Sequence, residues 1–366
     1  MEGWSFPEPG CCWTIGKSAQ LSVACPHAPA GLTLQIRLRP MLAPPRLPAQ
    51  HLRILVNGVT VGATQVSADL TLGFAVPHAA LGPTLLITLL HPDAASPLAL
   101  GASLETRVLG VAVEEITFWP APSRHLPVVA RPPLPPPGMR LDDAVRAFTG
   151  IDPAKMIANF ESVGQNCDFG LSQRASGVER LGLLRFAGIG QPGLLRGLAD
   201  GFACLLNADL YRIEINEADP RKEYFLRVGQ YAVEFHTEMT PRDSTPADVS
   251  AQMARYFGFI QRKFNETLRA ADTVFVLQTE TVLEDSAAIP VLNALRQYGD
   301  NALLYVVTGN TLPHGAVERR MDGLYRGWRA DRFDIDHPER IDIALWQSLC
   351  ANAYRFWRES GRGVDW

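Results

Sequence analysis

The proline-rich segment at residues 119–140 constrains the fold of this chain more than any other feature. Five prolines fall within the seven residues of Arg131–Pro137, which read Arg-Pro-Pro-Leu-Pro-Pro-Pro. Such a run favours an extended polyproline II conformation and cannot contribute to a packed core. We therefore predict a semi-rigid linker over 119–140 with one domain on each side, as expected for a chain of 366 residues.

The residues before this linker have the pattern of an all-β domain. Short apolar runs alternate with turn residues, at Leu32–Leu38, His51–Val56, Thr84–Leu90 and Val108–Phe118. Asn57-Gly58 separates two such runs and is a strong hairpin signal, because both turn positions need a positive φ. We predict a β-sandwich of seven or eight strands over residues 1–118.

The residues after the linker, 141–366, alternate between strand and helix. The predicted strands are Tyr231–His236, Thr273–Gln278 and Ala302–Thr308, and the predicted helices are Pro246–Ala271, Asp285–Tyr298 and Pro338–Ser360. A strand–helix–strand–helix–strand order is typical of parallel βαβ units. We predict an α/β domain with a largely parallel central sheet flanked by helices.

Composition excludes several classes of function. A net charge of −4 disfavours a nucleic-acid partner, which would need a basic surface. The six cysteines form no CxxC pair, so neither a zinc site nor another metal site is predicted. The uncharged stretch Leu70–Pro92 is interrupted by Pro77, Gly82 and Pro83, which favours two strands over a transmembrane segment. We expect a reduced cytoplasmic protein without a transmembrane segment and without a cofactor, since no phosphate-binding loop is present.

Polar residues follow each predicted strand of the second domain. In open α/β sheets ligands bind at the carboxyl ends of the strands, where this sequence places His236, Gln278, Glu280 and Asn310. We predict that Asn310 contacts substrate. The alternative for His236, Gln278 and Glu280 is an ordinary polar residue at the start of a loop.

The segment Gln165-Asn166-Cys167-Asp168 is the second candidate for chemistry. Asn166 has N-cap chemistry, which would place Cys167 in the first turn of a short helix, where the helix dipole stabilises a thiolate. Gln165 or Asn166 would then donate to an oxyanion. His236 would be the general base, oriented by Gln278 or Glu280. The alternative is that Cys167 is a small buried residue.

Arg185 lies in the apolar stretch Leu181–Gly188, where it is the only charged residue. It is a candidate for binding an anionic substrate group. The alternative is a structural ion pair.

The segment Phe160–Gly170, together with Tyr231–His236, resembles a bacterial family of unknown function described as papain-like cysteine peptidases. The similarity spans residues 157–310, and its motif pairs an SLGxNC element with a later histidine on a strand; here Val163 replaces the leucine. The resemblance implies Cys167 as nucleophile and His236 as base, and it fixes no third member. A papain-like sheet is mostly antiparallel, whereas the spacing of this chain predicts a parallel one.

A second resemblance covers residues 3–118. Gly3-Trp4-Ser5-Phe6-Pro7, Trp13, Val56-Asn57-Gly58 and Arg107-Val108-Leu109-Gly110-Val111 are similar to a β-sandwich of bacterial proteins of surface-polysaccharide assembly. This implies contact with carbohydrate, with Trp4 and Trp13 as candidates for stacking on sugar rings. It also implies association with polysaccharide-assembly proteins.

Two functions are therefore predicted as alternatives. The first is a cysteine-dependent hydrolase or acyl-transfer enzyme acting on a glycan or a peptide-like substrate. The second is a glycosyltransferase-like or non-catalytic carbohydrate-binding protein of polysaccharide biosynthesis; Asp334-Ile335-Asp336 matches the metal-binding pair of glycosyltransferases by letters.

Overall fold

The protein is described by a computed structural model. The residues that the structure describes are 2–26, 31–120, 128–130, 138–217, 219–278, 284–334, 337 and 340–362. The chain divides into two compact units: Met1–Ser123 with Glu284–Pro290, and Arg124–Leu283 with Val291–Trp366. The predicted limits of 1–118 and 141–366 stay predictions.

The first unit is built from eight strands in two sheets. The strands are β1 (Cys12–Ile15), β2 (Ser18–Ala24), β3 (Leu32–Pro40), β4 (Gln50–Val56), β5 (Val59–Val66), β6 (Leu70–Val76), β7 (Thr84–Leu90) and β8 (Leu109–Pro120). Their orders are β1-β8-β3-β6 and β2-β7-β4-β5, and every pairing is antiparallel. The all-β prediction for this region is confirmed, as are the two strands predicted within Leu70–Pro92.

The inner faces of these two sheets meet in an apolar core. Alternate residues of β3 and β4 are fully buried, such as Ile36 and Ile54. On β5, a Cβ at Gly62 would lie 2.2 Å from the ring of Phe74 on β6, which leaves room for glycine alone. Asn57 and Gly58 both have positive φ between β4 and β5, so the hairpin prediction is confirmed.

The described residues of the second unit contain most of the helices and ten further strands. The strands are β9 (Val128–Ala130), β10 (Phe160–Ser162), β11 (Ala187–Ile189), β12 (Tyr211–Ile215), β13 (Tyr224–Val228), β14 (Val233–His236), β15 (Val274–Gln278), β16 (Ala302–Thr308), β17 (Val317–Met321) and β18 (Leu324–Arg329). The helices of the chain are α1 (Leu141–Thr149), α2 (Pro153–Ile157), α3 (Asp168–Ala175), α4 (Gln191–Asp200), α5 (Pro246–Ala270), α6 (Asp285–Arg296) and α7 (Ile343–Glu359).

The larger sheet of this unit is mixed, with the order β10-β15-β16-β18-β17-β9. The first four strands are mutually parallel, and β17 and β9 run antiparallel to their neighbours. The predicted parallel unit β15-α6-β16 is therefore confirmed. Strands β15 and β16 are almost wholly buried, because helices cover both faces, and each strand is largely apolar up to its last residue, Gln278 or Thr308.

The smaller sheet has the order β11-β14-β13-β12 and is entirely antiparallel. It contains β14, so the prediction that Tyr231–His236 belongs to the parallel sheet is wrong. The short run Val233–His236 pairs with β13 as a hairpin through the turn around Ala232, which has a positive φ. A hairpin of two short strands needs only this local turn, whereas a parallel pairing needs a crossover.

The predicted linker also contains a strand. Val128–Ala130 pairs with Val317–Arg319 of β17 and forms an edge of the mixed sheet. Strand β8 extends to Pro120, beyond the predicted limit of the sandwich. The proline run 131–137 lies outside the described residues.

The two faces of the mixed sheet are covered by different helices. Helix α7 packs with α1, α2 and α3 on one face, where its Trp346 joins Val276 and Leu304 in a continuous core. On the other side α5 packs through Phe264, whose ring lies 6.0 Å from that of Phe275. Among the described residues, no helix has the length and hydropathy needed to cross a bilayer.

Candidate functional site

The loop that carries Cys167 leaves β10 through a sharp turn. Gly164 and Gln165 both have positive φ, of 116° and 77°. A Cβ at Gly164 would lie 2.2 Å from Cγ2 of Ile189, so only glycine fits this close approach. The turn brings the chain from the sheet directly into α3.

Asn166 and Cys167 together begin α3. Cys167 is the N-cap residue, and the Asn166 Oδ1 accepts a hydrogen bond from the backbone N–H of Asp168 at 3.1 Å. The helix thus begins one residue later than predicted. The Nδ2 of Asn166 is buried without a hydrogen-bond partner, so this amide retains a donor beside the sulfur-bearing residue.

The environment of Cys167 disfavours the thiolate form of its side chain. Burial raises the pKa of the Cys167 thiol, and the Asp168 carboxylate raises it further, while its own backbone N–H acts in the opposite direction. This direction is opposite to the thiolate stabilisation expected from the helix N terminus, because desolvation is the larger effect. A nucleophile here therefore requires a base to remove its proton.

Asp168 anchors α3 to the mixed sheet. Its Oδ2 accepts hydrogen bonds from Arg329 Nη1 at 2.8 Å and from Gln278 Nε2 at 3.0 Å, and all three residues are buried. Gln278 therefore holds Asp168 and not His236, contrary to its predicted role. The ion pair fixes where α3 begins and with it the position of Cys167.

His236 ends β14 and is paired across the hairpin with Phe225. The Phe225 ring lies edge-on to the imidazole at a centroid distance of 4.5 Å. The His236 side chain is 52% exposed. The imidazole is thus held by the hairpin and remains accessible to solutes.

Glu223 orients His236, and sequence reasoning missed it. Its Oε2 lies 3.0 Å from His236 Nδ1, and its Oε1 accepts from the backbone N–H of Glu238 at 2.6 Å. The Glu223 side chain is only 2% exposed. In the observed register residue 223 stands opposite residue 238, so a hairpin prediction for Tyr224–His236 would have placed Glu223 beside His236.

Cys167 and His236 line the same cavity, which has a volume of about 520 Å³. Helix α3 contributes Cys167, Leu171 and Arg174, at helical spacing on one face. The hairpin side contributes Arg221, Glu223 and Phe235–Glu238, and α5 contributes Gln252, Met253 and Tyr256. Gly182, Leu183 and Phe186 complete the wall. The structure forms no hydrogen bond between the Cys167 and His236 side chains, and the imidazole bonds instead to Glu223.

The Arg185 guanidinium is used in hydrogen bonds within the protein. Its guanidinium donates to the carbonyls of Gly170, Val178 and Arg180 and to Glu179, and it is buried. These bonds tie α3 to the loop that follows it. The predicted contact of Arg185 with an anionic substrate is therefore wrong, and the structural alternative holds.

The other predicted binding residues do not converge on this cavity. Asn310 is exposed in the loop after β16. In the first unit, Trp4 forms a bridge opposite Thr14, so Trp4 and its near neighbour Trp13 project from opposite faces. The two tryptophans form no common platform for a sugar ring.

The roles of some predicted site residues are not tested by the structure. Glu280, Ile335 and Asp336 lie outside the described residues. Gln165 is half-buried in the turn before Cys167, and its role as a donor stays a prediction. Within the described parts of the chain, no three His, Cys, Asp or Glu side chains gather as a metal site.

Comparison with known proteins gives no family. No family model matches the chain, and no curated protein matches it. The similar solved structures include the sugar-binding C-terminal domain of EclA, at 10% identity over 29% of this chain and 68% of that one, with a TM-score of 0.21. A carbohydrate-binding module of family 36, bound to calcium and xylotriose, is 14% identical over 30% and 79%, with a TM-score of 0.20. A family-two carbohydrate esterase from Clostridium thermocellum is 10% identical over 98% and 97%, with a TM-score of 0.21. Scores this low carry no argument about fold or function.

Proposed function

We propose that the cavity lined by Cys167 and His236 is the active site of a cysteine-dependent acyl-transfer or hydrolytic enzyme. The observation that carries the proposal is the His236–Glu223 pair, at 3.0 Å, in the same cavity as the thiol. A buried carboxylate on one imidazole nitrogen is how a general base is oriented for a nucleophile.

The His236–Glu223 pair determines which nitrogen of the imidazole carries the proton. With Nδ1–H donating to Glu223, Nε2 is the basic nitrogen and can take the proton of the Cys167 thiol. Because burial raises the pKa of this thiol, the proton is removed as the sulfur attacks, and no resting thiolate is needed.

The proposed acyl transfer has two steps, acylation of Cys167 and deacylation. The Cys167 sulfur bonds to the acyl carbon, the bond from that carbon to the leaving group breaks, and His236 returns the proton to the leaving group. Water or an alcohol next attacks the thioester, gives its proton to His236, and releases the acyl product as the thiol is restored. The Nδ2 of Asn166, which is buried without a partner in the residue before Cys167, is the proposed donor for the oxyanion.

Acyl trapping tests this proposal. The protein is incubated with activated acyl esters, thioesters and peptides, and mass spectrometry locates acyl adducts. We expect an adduct on Cys167 and loss of turnover in Cys167→Ala, with turnover kept in Cys204→Ala, whose half-buried sulfur lies on another turn. Turnover that is equal in Cys167→Ala and the parent protein contradicts the proposal. The peptidase class implied by the first resemblance requires turnover of the peptides in particular.

We also propose, independently, that the first unit contacts carbohydrate through Trp4. Its indole N–H donates to the Gln20 carbonyl at 2.8 Å, which fixes a half-exposed ring, and nearby Phe6 is 92% exposed. Rigid exposed aromatic rings are suited to stacking on sugars. Fluorescence titration with an oligosaccharide panel should show saturable quenching that Trp4→Ala removes. No saturable change across the panel contradicts this role. Association with polysaccharide-assembly proteins stays a prediction.

A further inference from the structure

The wall of the active-site cavity is predominantly apolar. Its apolar side chains are Leu171, Leu183, Phe186, Phe235, Met253 and Tyr256. They come from four parts of the second unit: α3, the loop after it, β14 and α5. None of these side chains has a role in the chemistry of the thiol and the imidazole.

The apolar wall adjoins both reacting residues. Leu171 lies one helical turn after Cys167 on the same face of α3. Phe235 directly precedes His236 on β14. A group that is held by this wall therefore lies beside the atom that attacks and the atom that takes the proton.

The wall is also fixed before any ligand arrives. Leu183, Phe235 and Met253 are buried, and the Phe235 ring packs against Phe257 of α5 at 4.8 Å. A preformed apolar surface stabilises an apolar ligand without a further cost in side-chain ordering.

Apart from Glu238, which is exposed, the charged groups that line the cavity are already paired. Arg174 bonds to Glu179 at 3.0 Å, Arg221 to Asp219 at 3.2 Å, and Glu223 to His236. A sugar ring in this space would bring hydroxyl groups against aliphatic and aromatic carbon, at the cost of their bonds to water. An alkyl or aryl chain forms no hydrogen bonds to water, so it has none to lose when it enters the cavity.

We infer that the cavity binds the chain of an apolar acyl group longer than acetyl, the part of the substrate that becomes the thioester on Cys167. This inference rests on the proposed function for its chemistry. It names the acyl chain as the source of specificity.

A chain-length series tests the inference. The probes are the p-nitrophenyl esters of acetate, butyrate, hexanoate and octanoate, in which the acyl carbon leaves the nitrophenolate oxygen for the Cys167 sulfur and then passes to water. Burying one methylene contributes about 0.8 kcal/mol, so kcat/KM should rise about fourfold for each methylene until the cavity is filled. A flat series, or a preference for acetate, overturns the inference.

Two variants localise the effect. Leu171→Phe adds bulk at a half-buried position beside the thiol, and we expect it to lower kcat/KM for octanoate at least tenfold while acetate changes less than twofold. Leu206→Phe, at a 52% exposed leucine on another turn, is the matched control and should resemble the parent protein. An equal loss for both esters in Leu171→Phe contradicts a chain-binding role for this wall.

A measurement without turnover separates this inference from the proposed function. Octanamide should slow alkylation of Cys167 by iodoacetamide, and acetamide at the same concentration should not, with the modified peptide quantified by mass spectrometry. Protection by octanamide alone supports the apolar pocket even if no ester is hydrolysed, a result that would reject only the proposed reaction. Equal protection by both amides, or by neither, overturns the pocket.

Discussion

The Oε2 of Glu223 lies 3.0 Å from Nδ1 of His236, at the end of the β13–β14 hairpin. Glu223 is buried, whereas the imidazole reaches solvent. The carboxylate is therefore positioned to hold one tautomer of His236, and this relationship yields the first prediction.

Glu223→Gln should lower kcat by about 10²- to 10⁴-fold with a smaller effect on KM. The glutamine amide can donate to Nδ1, which moves the imidazole proton to Nε2 and leaves no basic nitrogen toward the thiol. The measurement is the pH profile of kcat together with KM. Glu234→Gln, on β14 with His236 but paired with Arg227, is the control; equal losses in the two variants would assign Glu223 a purely structural role.

Alkylation of Cys167 should be slow at neutral pH and should accelerate as pH rises. Burial and Asp168 raise the pKa of the thiol, so at pH 7 the folded protein holds less thiolate at this position than the unfolded chain. We expect the iodoacetamide rate at Cys167 to be lower in the folded protein than in guanidinium, with the difference narrowing in alkaline solution. Faster labelling in the folded state at pH 7 would mean a preformed thiolate.

Arg329→Met should destabilise the protein by about 3–5 kcal/mol, because it leaves the buried Asp168 carboxylate without its cation. The double variant Asp168→Leu with Arg329→Met should recover part of the loss, since it removes both charges. Denaturant unfolding measures each free energy. Arg355→Met, which breaks the exposed pair with Glu359, should cost less than about 1 kcal/mol. A similar cost at both arginines would show that burial of the first pair has no special effect.

Glu161 should make the protein less stable as the pH rises from about 4.5 to about 7. Burial raises the pKa of this carboxyl to about 7, against the opposing effect of Arg180, whose Nη2 lies 3.1 Å away. Between the pKa of the unfolded chain and that of the folded protein, the folded state binds more protons, so the free energy of unfolding falls by up to about 3 kcal/mol.

The variant Glu161→Gln tests this pH dependence. It should flatten the pH profile of the unfolding free energy in that window, whereas Glu266→Gln, at an exposed carboxyl, should leave it unchanged. A profile that keeps its slope in Glu161→Gln would place the titrating group elsewhere.

The sequence predicted those elements whose signals are local and strong. The Asn57-Gly58 hairpin, the buried strands β15 and β16, and the start of α5 at Pro246 all follow from turn chemistry, apolar runs or capping. The three-residue strands β10 and β11 are too short to show a period. Assignment of β14 to the wrong sheet followed from its length, because four residues pair equally well in either direction.

The candidate site was predictable only in part, for a similar reason. Cys167 and His236 were identified from residue type and resemblance, and the structure places both in one cavity. Glu223 had no local signal, since it lies in the polar segment before β13 and acquires its role through the register of the hairpin. The pKa direction of Cys167 was mistaken because burial of the loop is a tertiary property.

Helix α5 connects the two sheets that carry Cys167 and His236. Cys167 follows the mixed sheet and His236 ends the smaller one. Helix α5 packs on both sheets, through Phe257 against Phe235 and through Phe264 against Phe275. The position of α5 therefore helps to determine the distance between the Cys167 sulfur and the His236 imidazole. A change in ring volume at Phe257 or Phe264 is therefore expected to change the distance between Cys167 and His236 without altering either residue.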